Sequence, residues 1–439
     1  MPASPARQLA CEILLLVEEH GGYASDLLHS QRTRALAPAD RRLATELVMG
    51  VLRWRAALDY VIGRAARRPI AQIPLLPRTA LRLGAYQLRM LDRVPASAAV
   101  HESVELAKAE GPKAAGFVNA VLRHVSRAPL AGLLANETEL ARRREAEFSH
   151  PAWMLERWSR FYSPEAAAAM AEYDNAPPPV ACWPPQPVAG VEFAPGQLLR
   201  TARRVKAGEL TQTPAFRSGR MWIQDEASQL IAHLVQPVAC GRILDVCAAP
   251  GSKTALLAAL APEAQIFALE RHVRRAQLLA RRLRRAGASD RVQIVAADAT
   301  APWPLTGRFD RILVDAPCTG TGTLARNPEI RWRVQPQDPE RLAQLQLSIL
   351  RRAAGGLAPG GRLIYSVCSM EPEEGPDVIT ALLAVCPQLR VLPAIEVLAT
   401  IADLRVPAAA LTEGPWLRVL PGRFATDGFF AAVLTAASS

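Results

Sequence analysis

The sequence predicts a multidomain chain: an all-α N-terminal bundle, a small intervening α+β region, and an α/β domain built on a doubly wound parallel sheet. Three observations carry this. At 439 residues the chain is too long for one ordinary core, and half of it is hydrophobic, so two or three cores are expected. From residue 1 to about 140, apolar residues recur at helical spacing with no strand alternation. From Met221 onward, short apolar runs alternate with helical stretches, the order that a parallel sheet with covering helices requires.

The helical part is marked by Leu9, Ile13, Leu16 and Val17, then by Leu43, Leu47, Val51, Leu52 and Leu58. Further helices are expected over 78–88, over 99–108 after Pro95, and over 117–123. Ser149-His150-Pro151-Ala152-Trp153 breaks the pattern, and a short helical piece runs through Trp158. Between Asn175 and Val188 stand six prolines, which read as linker or irregular backbone. The expected domains are therefore 1–140 (helical), 141–220 (linker and small α+β subdomain) and 221–439 (α/β). Within the last, buried strands are expected at 242–246, 265–269, 292–295, 311–314, 362–366 and 429–434. The helix at 271–286 should turn Val273, Ala276, Ala280 and Leu283 to the sheet. Its Arg271, Arg274, Arg275, Arg281, Arg282 and Arg285 should face solvent.

The formal net charge of +11 and a pI near 9.8 favour a polyanionic partner. Lysine occurs only at 108, 113, 206 and 253, so the charge is almost all arginine, a bias that a GC-rich genome also produces. Charge alone therefore weighs a solvated basic surface equally with nucleic-acid binding. The seven cysteines (11, 182, 240, 247, 318, 368 and 386) are odd in number, irregular and without a CxxC pair. That argues against a disulfide framework and a zinc ribbon, and no metal site is expected. No secretory signal is visible, and no stretch approaches the ~20 apolar residues of a membrane span. A reduced, soluble, cytoplasmic protein is expected.

The first α/β strand ends in Asp245-Val246-Cys247-Ala248-Ala249-Pro250-Gly251-Ser252-Lys253-Thr254, with a helix after it. Small residues let the backbone turn tightly against a ligand at a helix N-terminus. Neither GxGxxG nor GxxxxGK[ST] is present, so a pyrophosphate cradle is disfavoured. Glu270 closes the second strand, where it suits ribose hydroxyls, and Asp298 closes the third, where it suits an adenine amino group. One such acid reads equally well as a helix cap. Two in succession after a small-residue turn favour a nucleoside with a cationic centre, such as S-adenosylmethionine.

Enzymes that methylate exocyclic amines commonly place Asn/Asp-Pro-Pro-aromatic after the fourth strand. Here that position reads Asp315-Ala316-Pro317-Cys318, which favours a carbon target. Cytosine C5 is a poor nucleophile. Thiolate addition at C6 makes it enamine-like, and a proton or hydrogen bond at N3 stabilises the adduct. Cys318 and Cys368 both end strands on the ligand side of the sheet. Cys11, Cys182, Cys240, Cys247 and Cys386 fit buried inert thiols instead.

These residues closely resemble the RNA 5-methylcytosine methyltransferases of the Fmu/Sun family. The match takes in 245–254, Glu270, Asp298, 315–322, 326–332, 365–369 and 427–430. The helical region resembles a NusB-like RNA-binding domain at Asp40-Arg41-Arg42, 81–88 and 117–123. The resemblance implies a NusB-like bundle ahead of a Rossmann-like class I methyltransferase. It implies transfer of a methyl group from S-adenosylmethionine to C5 of a specific cytosine in 16S rRNA through a covalent Cys–C6 adduct. Cys368 is then the nucleophile, because RNA enzymes use the Ser-x-Cys-Ser thiol whereas DNA enzymes use the Pro-Cys thiol. Cys318 assists product release, and Asp315 contacts the base. The implied cofactor contacts are Cys247, Ala248, Ala249, Pro250, Gly251, Ser252, Lys253, Glu270, Asp298 and Asp315. The partner is 16S rRNA, free or in a partly assembled small subunit, and a monomer is expected. The same chemistry on tRNA, or RNA binding without turnover, are the alternatives.

The sequence departs from the family pattern in three places. Ser252 stands where a second glycine is usual, and a positive φ there would be strained. The segment 181–187 replaces a usual strand. Pro376 follows Glu373-Glu374-Gly375 where an Asn-Glu pair is common, and no role is attached to it.

Overall fold

The computed structural model describes residues 3–125, 134–135 and 137–437, so 126–133 and 136 of the expected helical span lie outside it. The chain divides into two compact units. One comprises Met1–Pro177 with Leu324–Val334, and the other Pro178–Thr323 with Gln335–Ser439.

The first unit is helical, as the apolar spacing predicts. Its longer helices are Pro5–His20, Pro38–Arg53, Arg55–Ala66, Leu75–Met90, Ala96–Ala107 and Pro112–Val125. Several start on a proline, whose fixed φ and missing N–H suit a helix's first turn. Leu47, Leu58, Ile62, Leu81, Leu83 and Leu122 form the fully buried centre. Leu140–Phe148, Ala152–Phe161 and Pro164–Asp174 follow. The segment Leu324–Val334 anchors in this unit through Arg331, which is wholly buried.

The second unit holds two sheets. The smaller is antiparallel, in the order β2 (Glu192–Pro195), β3 (Arg203–Ala207), β1 (Ala181–Trp183), β4 (Trp222–Ile223). The proline-rich stretch is thus not all irregular. Ala181–Trp183 is buried and paired on both sides, with its prolines outside the ladder, where a missing N–H costs nothing.

The larger sheet runs β7 (Val292–Ala296), β6 (Gln265–Glu270), β5 (Arg242–Asp245), β8 (Phe309–Asp315), β9 (Leu357–Val367), β13 (Phe429–Ala436). The first five are parallel, and β13 lies antiparallel to β9. All six expected strands are present. Three more, β10 (Leu389–Leu392), β11 (Thr412–Glu413) and β12 (Trp416–Val419), extend the β13 edge. A search for strand–turn–helix units misses them because antiparallel strands need no crossover helix.

The helix Val273–Arg285 buries Ala276, Leu279 and Leu283, whereas Val273 is 60% exposed. Val273 opens the helix, one turn before it meets the sheet. Leu279, passed over in the sequence, takes the central contact. The expected solvent-facing arginines do face outward, with Arg282 half-buried.

Among the described residues, no helix is long and apolar enough to cross a membrane, and no group of three or more His, Cys, Asp or Glu could hold a metal.

Candidate active site

Strand order reverses between β5 and β8, and open α/β sheets bind ligands at the carboxyl ends of such strands. Most of the residues singled out in the sequence gather there. After β5, the turn at 247–251 is pinned by the Ala248 N–H donating to the Leu269 carbonyl at 2.9 Å. Gly251 takes the positive φ of 104°, and Ser252 begins the helix Ser252–Leu260 in ordinary geometry. Ser252 therefore needs no positive φ, and the glycine-only conformation falls on Gly251. A Cβ on Gly251 would lie 2.4 Å from Leu279 Cδ1, so packing and backbone both demand glycine.

Glu270 is buried at the end of β6. Its Oε1 accepts from the His272 N–H at 2.9 Å, and Arg275 lies 3.7 Å from Oε2. Asp298, after β7, is more exposed. Its Oδ1 accepts from the Thr300 N–H (2.9 Å) and hydroxyl (2.7 Å), which together hold its pKa below the usual carboxylate range. Asp298 therefore also caps its own turn. Beneath the turn lies a residue not singled out in the sequence, Asp245. It is wholly buried, accepts from Thr254 Oγ1 at 2.7 Å, and burial pushes its pKa up to about 7. Burial also raises the Cys247 thiol, and Asp245, Asp315 and Glu270 reinforce the shift.

At the end of β8, Asp315 pairs with its neighbour strand and with the turn helix. Lys253 Nζ donates to Asp315 Oδ2 at 2.7 Å, and Ser366 Oγ donates to Oδ1 at 2.7 Å. Burial works against the Lys253 charge, but the Asp315 carboxylate overrides it and raises the pKa. The ammonium also lies 5.2 Å from the Phe429 ring centroid, which explains the aromatic after Asp427-Gly428.

The two thiols meet. Cys318 Sγ lies 3.5 Å from Cys368 Sγ. The hydrogen bond to Cys368, then burial, then the charges of Cys368, Glu374 and Asp315 hold the Cys318 pKa well above the ordinary thiol range. The two sulfurs are close enough to share a hydrogen, which either one can donate. Backbone contacts fix this meeting. The Gly322 N–H donates to the Cys368 carbonyl (2.9 Å), and the Gly428 N–H to the Gly322 carbonyl (2.7 Å). A Cβ at Gly322 would lie 2.4 Å from the Gly428 oxygen.

All seven cysteines are free. Cys11, Cys182 and Cys386 are buried, and burial pushes the thiols of Cys11 and Cys182 up to about 12. Cys240, expected to be buried, is exposed because it lies in the loop before β5 rather than in a strand.

Residues 232–435 match the family described as 16S rRNA methyltransferase RsmB/F, and residues 4–127 match the NusB family. The chain is 34% identical to the "probable ribosomal RNA small subunit methyltransferase B" of Bacillus subtilis, over 98% of each chain. It is 33% identical to the ribosomal RNA small subunit methyltransferase B of Klebsiella pneumoniae, over 98% of this chain and 97% of that one. Among solved structures, that of PH0851 aligns over 99% of both chains with a TM-score of 0.81 at 23% identity, a likeness of fold.

Proposed function

Since this chain belongs to the 16S rRNA methyltransferase RsmB/F family, we propose that it methylates C5 of a cytosine in 16S rRNA, with S-adenosylmethionine as donor. The 3.5 Å approach of Cys318 and Cys368 beside the Lys253–Asp315 pair is the observation that carries this reading. The tight turn at 247–251, flanked by the buried Glu270 and by Asp298, suits the donor's nucleoside. When bound, the donor supplies an electrophilic methyl group.

The protein residues supply the rest. The Cys368 thiolate adds to cytosine C6, and the electron pair displaced toward N3 makes C5 nucleophilic. Lys253 and Asp315 set a proton donor beside an acceptor, complementary to cytosine's N3 acceptor and N4 amino group. After methylation the C5 proton must leave and the C6–S bond must break. The bonding pair returns to the Cys368 sulfur, which lies 3.5 Å from the Cys318 sulfur. Cys318 gives that sulfur its proton and takes up the one leaving C5. The NusB-like helices between Pro5 and Val125 hold the RNA, and the whole acts in the cytoplasm.

Glu270→Gln should weaken S-adenosylmethionine binding by about 10- to 100-fold, the loss expected for a charged hydrogen bond, as calorimetry would read. Bisulfite sequencing of rRNA and tRNA from a deletion strain tests the substrate. One cytosine in 16S rRNA should lose its 5-methyl group. A loss confined to tRNA, or no loss in either RNA, would reject the reading.

A further inference from the structure

Neither the reaction scheme nor the family motifs give a role to Glu374, yet this side chain touches the loops of both thiols. It is fully buried beyond the end of β9. Its Oε1 accepts from the backbone N–H of Thr319 at 2.9 Å and from Gln346 Nε2 at 2.9 Å. Its Oε2 accepts from Ser369 Oγ at 2.5 Å and from the Thr319 hydroxyl. Thr319 directly follows Cys318, and Ser369 directly follows Cys368. One carboxylate thus grips the next residue along from each sulfur.

The grip is reinforced on the far side. Gln346 Nε2 also donates to the Pro317 carbonyl at 2.9 Å, so the residues before and after Cys318 are both tied to this group. The Tyr365 hydroxyl lies 2.6 Å from the Glu374 carbonyl and 2.9 Å from Gln346 Oε1, which fixes the backbone bearing the carboxylate. Four donors converge on two oxygens and oppose the rise in pKa that burial causes, so the carboxyl oxygens are fully engaged within the protein.

We propose that Glu374 is a positioning residue that sets the separation of Cys318 and Cys368 and thereby governs the release step. This rests on the reaction proposed above. Attack on C6 requires one correctly placed sulfur. Release requires two at once, because the C6–S bond breaks toward Cys368 while Cys318 exchanges protons with that sulfur and with C5. A loosened clamp should therefore hinder release more than attack. Misplacement of a reacting group by about 1 Å costs on the order of 100-fold in rate.

Glu374→Gln tests this while preserving shape. Its amide nitrogen, placed at the Oε2 position, meets two hydroxyls that can rotate to accept, so the fold is expected to survive. With the full-length protein and 16S rRNA, kcat should fall by about 100-fold while kcat/KM for RNA, which reports the steps through methyl transfer, stays within about twofold. A denaturant-resistant protein–RNA adduct, scarce in the unmodified enzyme, should accumulate. Thr319→Val combined with Ser369→Ala removes the same hydroxyl contacts from the other side and should give the same split. Circular dichroism and S-adenosylmethionine calorimetry on each variant report whether fold and donor site are intact. Unchanged turnover in both variants would overturn the proposal. So would parallel losses of attack and release, or loss of fold in both variants, since these mark a merely structural group. If the unmodified enzyme itself forms no 5-methylcytosine, the underlying reaction fails instead.

Discussion

Arg331→Met is expected to destabilise the first unit by about 3–5 kcal/mol, the usual cost of removing one member of a buried charged network. Arg331 is completely buried, and burial pulls its pKa down to about 10, so it stays charged at neutral pH. Its Nη1 donates to the Ser149 carbonyl at 3.0 Å, to Asn175 Oδ1 at 2.7 Å and to the Arg53 carbonyl at 3.3 Å. Its Nη2 donates to the Asp174 carbonyl at 3.0 Å. Arg53 and Asp174 are the last residues of their helices, and Ser149 follows the end of Leu140–Phe148. One guanidinium thus closes three helix C-termini, where unpaired carbonyls and the helix dipole both favour a cation. The fully buried Asp174, 3.4 Å from His150 Nε2, is only a partial countercharge, because burial pushes its pKa up to about 7.

Methionine would fill the space and leave all these acceptors dry. Arg331→Lys keeps the charge but not the planar fork, so it should fall between the two. Urea unfolding followed by circular dichroism measures the loss. A shift below about 0.5 kcal/mol for Arg331→Met, the ordinary range of a surface substitution, would show that the network is not what holds these ends.

What could be read from the sequence and what could not divide along a physical line. The turn at 247–251, Glu270 at the end of β6 and the two cysteines at strand ends were legible because each follows from a local pattern, a strand that stops and a turn that begins. Local pattern also placed the five parallel strands of the sheet and its antiparallel β13. Glu374 was in view within Glu373-Glu374-Gly375 but carried no local signal. Besides Ser369, five residues before it, its partners stand 55 and 28 residues away, on the loop after β8 and on the helix Asp338–Gly355, and only the tertiary fold brings them together. Arg331 lies inside a motif that the resemblance marked, yet its three helix ends come from segments more than 150 residues earlier. Val273 failed for a different reason. Helical periodicity gives the angle of a face and not the turn at which packing starts, so the first apolar residue was counted as buried. Cys240 was misjudged because thiols are usually buried, whereas its loop is not.

The division of labour between the thiols has the largest functional consequence. Cys368→Ala should reduce methylation by at least about ten-thousand-fold, as loss of a covalent nucleophile does. Cys318→Ala should leave attack intact and block release. The 3.5 Å separation lets the two sulfurs exchange a proton, as the release step needs, while the order of action follows from the family resemblance.

The most direct measurement is denaturing electrophoresis of each single variant after incubation with 16S rRNA and S-adenosylmethionine. Cys318→Ala is expected to give a slow-migrating, denaturant-resistant protein–RNA band that Cys368→Ala lacks. The same band from Cys368→Ala, with none from Cys318→Ala, would contradict the assignment and make Cys318 the nucleophile.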